Sequence, residues 1–164
     1  MKLTTLLQEI LKETGDQLAK PYESEIVIDD ENDRKYNFQT LSTPPTYYEV
    51  DLIEYEPENP FSEEGILLDI QFGVTNEEGD KNMNLLTGKG ELYRVMSTII
   101  SIVKKDIANH KYIKRIQFTP AARKRKDTAT SNARGNLYLK YVKAQWPKAT
   151  EEIKNGKIII NLFG

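Results

Sequence analysis

Cysteine is absent from this chain of 164 residues, and histidine occurs once, at His110. The lack of cysteine excludes disulfide bonds, thiol catalysis and cysteine-rich metal sites. A serine-based catalytic triad would have to use His110, whose neighbours Asn109 and Lys111 indicate a helix-ending turn. We therefore expect His110 to be an exposed loop residue, and we predict no metal site.

A long apolar run is also missing. No segment approaches the roughly 20 apolar residues that span a bilayer, and no basic stretch leads into an apolar one at the N-terminus. We expect a protein that does not contact membranes and is not secreted by a signal peptide. A hydrophobic content of 38% is enough for one substantial core, which predicts a single domain over residues 1–164.

The net charge of −2 conceals a strong polarity along the chain. The segment from Glu23 to Asp80 contains 17 acidic and two basic residues, whereas Lys111 to Lys148 contains 11 basic residues and one acidic residue. This separation predicts two oppositely charged surfaces on one body. The acidic segment of one copy is then able to receive the basic face of a neighbouring copy, which gives head-to-tail assembly.

Apolar residues near the N-terminus recur at helical spacing, and they are Leu3, Leu6, Leu7, Ile10 and Leu11. This stripe predicts a short docking helix over residues 1–15. A helix of this length is marginal alone in water, so the stripe must be buried. Either the core of the same domain or a partner chain covers it, and the domain's own core is the commoner choice.

Alternating apolar residues predict two pairs of strands. The polar turn Asp29–Arg34 follows the apolar run Ile26–Ile28 and precedes the alternating residues Tyr36 and Phe38, which indicates a hairpin. Tyr48–Ile53 and Leu68–Val74 alternate clearly and are expected to pair antiparallel.

A row of carboxylates accompanies the second pair of strands and is expected to face away from the core, namely Glu49, Asp51 and Asp69. Carboxylates in such a row are able to serve as acid and base. We favour the simpler interpretation, a solvated sheet face.

The second half alternates helices and strands. The turn Thr87–Gly90 leads into a helix to about Ile107, and a strand follows at Ile113–Phe118. A second helix opens near Ser131 and ends before Pro147, and the last strand is Ile158–Phe163. The fold class is therefore α+β, a single domain with a mixed, mostly antiparallel sheet, an N-terminal helix and two packed helices.

The glycine turn is a possible anion site. Gly88 and Gly90 let backbone N–H groups point at an anion at the helix start, and Lys89 adds a positive charge. The same glycines also fit a plain turn into a helix.

The order of elements in this part of the chain resembles the core of GNAT-type N-acetyltransferases. The order is a strand, the turn Gly88-Lys89-Gly90, a long helix, the strand Ile113–Phe118 and a helix from Asn132. In that family the glycine turn holds the pyrophosphate of acetyl-CoA, and the later helix supplies an asparagine contact and a tyrosine that protonates the departing thiolate. The resemblance implies a GNAT-like core, acetyl-CoA contacts at Gly88, Lys89, Gly90 and Asn132, and a catalytic role for Tyr138.

The layout is also similar to small bacteriophage-encoded α+β proteins, which share the Thr-Gly-x-Gly helix start and a later Arg-x-x-Leu-Tyr segment, here Arg134–Tyr138. This second resemblance brings no established activity. It implies a virion component or a host-interaction factor, located in the host cytoplasm or in the virion.

A basic loop is the remaining candidate site, and it consists of Arg123, Lys124, Arg125 and Lys126, with Arg134 nearby in sequence. It suits the phosphates of nucleic acid, an acidic protein surface or simply solvent. We expect a non-catalytic accessory protein that acts by protein binding or assembly and needs no cofactor. The alternatives are an acetyl-CoA-dependent N-acetyltransferase and a nucleic-acid-binding protein.

Overall fold

The computed structural model describes residues 20–41, 43–75, 81–82, 92–118, 133–154 and 157–164. The strands are β1 Ser24–Asp29, β2 Asp33–Gln39, β3 Tyr47–Tyr55, β4 Leu67–Thr75, β5 Lys81–Asn82, β6 Arg115–Phe118, β7 Thr150–Lys154 and β8 Lys157–Asn161. The helices are α1 Leu92–Asn109 and α2 Ala133–Gln145. The predicted N-terminal docking helix lies outside the described residues.

Within the described residues, seven strands form one sheet in the order β1-β2-β3-β4-β6-β8-β7, and the short β5 pairs with β4 off this path. Strands β4 and β6 are parallel, and the other neighbouring pairs are antiparallel. A parallel pair needs a crossover connection, and the chain between β4 and β6 contains α1. The predicted α+β domain with a mixed, mostly antiparallel sheet and two helices is confirmed.

Both helices pack on one face of the sheet, which we call the helix face. Every second residue of the central strands is buried there, and these residues include Tyr36, Phe38, Tyr48, Val50, Leu52, Leu68, Ile70, Phe72, Ile116, Phe118, Ile158 and Ile160. The predicted apolar stripe of α1 covers them with Val95, Met96, Ile99, Ile100, Ile102, Val103 and Ile107. Each large side chain buried this way contributes about 1.5–3 kcal/mol. No helix within the described ranges is both long enough and apolar enough to cross a membrane.

Helix α2 closes the same core with the predicted residues Tyr138, Tyr141 and Val142. The ring of Tyr138 packs over the paired strands β4 and β6. Its centroid lies 5.1 Å from the ring centroid of Phe72 on β4 and 4.9 Å from that of Phe118 on β6. Edge-on and tilted aromatic contacts of this kind add to the stability gained from burial. The helix ends before Pro147, as its sequence predicts.

Two strand predictions need correction. The hairpin of β1 and β2 forms, but its turn is shorter than Asp29–Arg34, because Arg34 belongs to β2 and pairs with Leu52 of β3. The strand β7 was not predicted at all. Its sequence Thr-Glu-Glu-Ile-Lys is exposed throughout, so it has no apolar alternation that would reveal an edge strand.

Arg34 is a charged residue in the apolar layer between sheet and helix, with 1% of its surface exposed. Its Nε and Nη2 donate to Oδ1 and Oδ2 of Asp106 on α1, at 2.8 and 2.7 Å. Its Nη1 donates to the carbonyl of Glu31 at 2.9 Å and to the carboxylate of Glu54 on β3. The guanidinium therefore joins β2, β3 and α1 at one point, with a two-pronged geometry that lysine cannot reproduce.

Two aromatic side chains extend this network towards solvent. The hydroxyl of Tyr112 donates to the carboxylate of Glu54 at 2.8 Å. The Nδ1 of His110 is 2.7 Å from the carbonyl of Asp106, so Nδ1 carries the proton in this contact. His110 does end the helix, but the expectation of an exposed loop residue is wrong, because its ring is held in place and its side chain is only 27% exposed.

Three groups in this region, Arg34, Tyr36 and Tyr112, have pKa values above their ordinary values. Burial acts to lower the pKa of Arg34, but the hydrogen bonds to Asp106 and Glu54 outweigh it and raise that pKa above its ordinary value. Burial and the charge of Asp106 raise the pKa of Tyr36. Burial and the hydrogen bond to Glu54 raise the pKa of Tyr112. The protonated form of all three groups is therefore favoured by folding.

Replacing Arg34 by methionine is expected to lower the free energy of unfolding by about 3–5 kcal/mol, because it leaves two carboxylates beside an apolar core. Urea denaturation measures the loss. Lys143→Met is the control, since Lys143 is 47% exposed and pairs at 3.3 Å with the exposed Glu151, and it should cost no more than about 1 kcal/mol. Equal losses in the two variants would contradict the assigned role of Arg34.

Stability is expected to fall at alkaline pH. Because folding raises the pKa of Tyr36 and Tyr112, their contribution is fully present below the ordinary tyrosine pKa of about 10. It is lost as the pH rises through the folded-state pKa values. Urea denaturation above and below pH 10 measures this slope. The variant with both Tyr36→Phe and Tyr112→Phe should lose less stability over the same range, and an unchanged slope would contradict this account.

Candidate functional site

The second face of the sheet lies opposite the helices, and none of the described helices packs on it. Its central strands carry polar side chains, namely Lys35, Glu49, Asp51, Asp69, Gln71, Arg115 and Gln117. The Nζ of Lys35 lies 3.2 Å from Glu49 and 3.8 Å from Asp51. Burial acts to lower the pKa of Lys35, but the hydrogen bond to Glu49 and the charge of Asp51 outweigh it and raise that pKa.

The predicted carboxylate row does face away from the helices, but the interpretation of a solvated sheet face is wrong. Asp51 is 9% exposed and Asp69 is 3% exposed. Both lie on strands with a neighbour on each side, and Asp69 also accepts a hydrogen bond of 2.8 Å from the amide of Gln71. Buried carboxylates held by specific partners are characteristic of structured sites.

A cleft of about 760 Å³ opens over the part of this face formed by β4 and β6. Its floor consists of Asp69, Gln71, Arg115, Gln117 and Ile159. One wall is the connection between β3 and β4, and the opposite side carries Lys154 and Lys157. The volume lies in the range of sites that bind small molecules, so this cleft is the candidate functional site.

The wall is an acidic loop, residues 56–64, which contains Glu56, Glu58, Glu63 and Glu64. Its shape is held locally: the side chain of Asn59 accepts a bond of 3.0 Å from the N–H of Phe61, and the hydroxyl of Ser62 accepts one of 3.1 Å from the N–H of Glu64. Gly65 follows with φ of +75°, a conformation that side chains other than glycine disfavour. The ring of Phe61 is left 92% exposed.

Arg115 and Gln117 sit two residues apart on β6 and therefore share the floor of the cleft at a separation of roughly 7 Å. In the register with β4, Gln117 lies beside Asp69 and Arg115 beside Leu67. Arg115 is 8% exposed and Gln117 is 6% exposed. Two polar side chains are thus almost buried next to a buried carboxylate.

These two side chains have few partners of their own. The nearest carboxylate oxygens to Arg115 belong to Glu64 at 3.7 Å and Glu152 at 3.6 Å, and both distances exceed a hydrogen bond. The amide of Gln117 makes no hydrogen bond to the part of the chain that the structure describes. Both side chains line the open cleft, where water is able to bond to their polar groups.

Exposed acidic residues are frequent on the β1–β4 part of the chain, and they are Glu23, Glu25, Asp29, Asp30, Glu31, Glu56, Glu58, Glu63 and Glu64. Exposed basic residues follow α1 and lie on and after α2, and they are Lys111, Lys114, Lys140, Lys143 and Lys148. The predicted separation by charge is incomplete in space, because Glu63 and Glu64 line the same depression as Lys114, and Glu64 lies 3.6 Å from Nζ of Lys154 on β7.

Most site residues predicted from the sequence lie outside the described residues, and their roles stay predictions. These are the leucine stripe Leu3–Leu11, the turn Gly88–Gly90, the basic loop Arg123–Lys126 and Asn132. Tyr138 is described, is 2% exposed, and packs in the core on the helix face. It is therefore on the other side of the sheet from the cleft.

The residues that distinguish the cleft were not identified from the sequence. Arg115 and Gln117 alternate with Ile116 and Phe118, and this alternation does predict that they share the face away from the helices. Their burial depends on the acidic loop folding over them, which a local pattern does not report.

The described residues contain no group of three or more side chains that suits a metal ion. Comparison with protein families, with curated proteins and with solved structures found no match to this chain. Its function is therefore inferred from its own residues.

Proposed function

We propose that the protein acts by binding protein, without turnover, and that its copies associate head to tail through oppositely charged surfaces. The observation that carries this proposal is Phe61, whose ring is 92% exposed on a loop with four glutamates. An aromatic ring in that position costs free energy in water, and it gains most when a partner covers it.

The acidic loop is suited to be an interface. Hydrogen bonds from the N–H groups of Phe61 and Glu64 to side chains within the loop hold its shape before any contact forms. A loop that is already ordered loses little entropy on binding. Phe61 then serves as the apolar anchor, and the glutamates of the same loop add charge that selects a basic partner.

A second copy of the chain offers such a partner surface. Lys140, Lys143 and Lys148 are exposed on and just after α2. Because the acidic and basic surfaces are different patches, their contact is heterologous and leaves one free patch on each end of the pair. Such open-ended assembly fits the virion or host complex that the likeness to phage-encoded proteins implies, and we propose that setting too.

The protein is expected to self-associate at low ionic strength and to dissociate as salt is added, because charged surfaces attract over a distance that salt shortens. Light scattering after size-exclusion chromatography measures the mass at several salt and protein concentrations. Phe61→Ala should weaken the association at least about tenfold, as expected for the loss of an aromatic anchor.

Leu41→Ala is the control, since Leu41 is also apolar and is 74% exposed but lies outside the acidic loop. It should leave the association unchanged. A chain that stays monomeric at low salt and high concentration would exclude the proposal, as would equal effects of the two variants.

A second candidate is an acetyl-CoA-dependent N-acetyltransferase, and the arrangement of strands supports it. A parallel pair, β4 and β6, is joined through α1, and the helix α2 then places Tyr138 against both strands. The GNAT resemblance gives Tyr138 the role of protonating the departing thiolate. However, only 2% of the surface of Tyr138 is exposed, so its hydroxyl contacts a thioester only if the cofactor enters between Phe72 and Phe118.

If this candidate is correct, acetyl-CoA should raise the melting temperature in a concentration-dependent way, because a ligand that binds only the folded state stabilises it. Differential scanning fluorimetry measures the shift. Tyr138→Phe should keep the shift but lose acetyl transfer to a panel of amines. No shift at saturating cofactor would exclude the enzyme.

A further inference from the structure

We infer that the cleft on the second face of the sheet binds a small ligand that carries a carboxylate and a protonated amine, the chemistry of short peptides and amino-acid derivatives. This inference does not depend on the proposed assembly, whose anchor Phe61 does not line the cleft. It rests on the buried polar floor of the cleft.

Arg115 supplies the site for the carboxylate. Its side chain is 9% exposed, and its nearest carboxylates, on Glu64 and Glu152, lie beyond hydrogen-bond distance at 3.7 and 3.6 Å. The planar guanidinium therefore faces the open cleft without a short hydrogen bond to either carboxylate. A ligand carboxylate would accept two parallel bonds from it, which is the strongest pairing available to this group.

Gln117 provides the second contact. Its amide is nearly buried, lines the cleft and has no hydrogen bond to the described part of the chain. An amide both donates and accepts, so it is complementary to a peptide group next to the carboxylate. A ligand that bonds to Gln117 replaces the water that reaches this amide in the open cleft.

The other charges of the cleft select a ligand with both signs. Asp69 lies beside Gln117 on the floor, and Glu56 and Glu58 line the wall, so the cleft also offers negative charge to an amine. Lys154 and Lys157 also line the cleft, so charges of both signs surround a ligand. A purely anionic ligand would still meet the carboxylates at close range. A ligand with a carboxylate at one end and an amine at the other matches both parts.

The size of the cleft points to more than a single amino acid. About 760 Å³ accommodates a peptide of a few residues, and the opening over β4 and β6 is continuous with solvent. Short peptides also present the amide groups that Gln117 and Gln71 are able to bind.

Glu64 and Glu152 act as competitors for the guanidinium. Their side chains are 46% and 48% exposed, so they can move away when a ligand carboxylate arrives. Removing their charge should therefore strengthen ligand binding. A residue with a merely structural role would not produce a gain of this sign.

The test uses the full chain labelled with ¹⁵N and observes the side-chain signals of Gln117 and Arg115 by NMR. The Gln117→Leu variant identifies the Gln117 amide signal. Triglycine is the probe, triglycinamide lacks its carboxylate, and N-acetyl-triglycine lacks its amine. Triglycine should shift both side-chain signals with a Kd of roughly 1 mM, and each comparator should bind at least about tenfold more weakly.

Arg115→Gln should lose the response to triglycine, whereas Glu64→Gln and Glu152→Gln should tighten binding several-fold. Lys105→Gln is the matched control, because Lys105 is an exposed cation on α1, on the other side of the sheet, and it should leave binding unchanged. The two glutamate variants keep the test decisive if Arg115→Gln fails to fold.

Equal responses to triglycine and triglycinamide would overturn the assignment of Arg115. No shift with any of the three probes would overturn the site itself. Shifts confined to residues outside the cleft would do the same. Self-association of the protein is measured separately, so its presence or absence does not alter any of these outcomes.

Discussion

The structure depends on the way that Arg34 joins the sheet to α1. Its two bonds to Asp106 cross the apolar layer, and its bond to Glu54 secures the neighbouring strand. A guanidinium in this layer is acceptable only because its donors are matched by carboxylates and the carbonyl of Glu31. The arrangement therefore specifies one position of the helix against the strands, where apolar contacts alone would allow small shifts.

The two faces of the sheet differ in where their polar groups find partners. On the helix face, the charged group of Arg34 is buried with bonds to Asp106, Glu54 and Glu31. On the second face, Arg115 and Gln117 line an open cleft, and the carboxylates nearest to Arg115 lie beyond hydrogen-bond distance at 3.7 and 3.6 Å. A ligand in the cleft is able to replace the water that these groups face. The contrast within one sheet is the reason for placing function on the second face.

Local pattern predicts the parts of this fold that alternate clearly. Strands β3 and β4 and the stripe of α1 follow from residue spacing, and so does the direction in which Asp51 and Asp69 point. Pattern reasoning fails where a residue type contradicts its environment. The charge of Arg34 predicts a solvent-exposed turn, because its partner Asp106 is 72 residues away in sequence and a local pattern does not include it. The strand β7 was missed because its partner β8, and not its own residues, determines its conformation.

The single parallel pair in the sheet also affects how the chain folds. Strands β1 to β4 are sequential neighbours, so each can form as soon as the one before it is in place. The parallel pairing of Leu67–Ile70 in β4 with Arg115–Phe118 in β6 instead forms only after the more than forty intervening residues have crossed back over the sheet. We therefore expect strands β1 to β4 to form first. Strands β6 to β8 then pair with them late, through the crossover that contains α1.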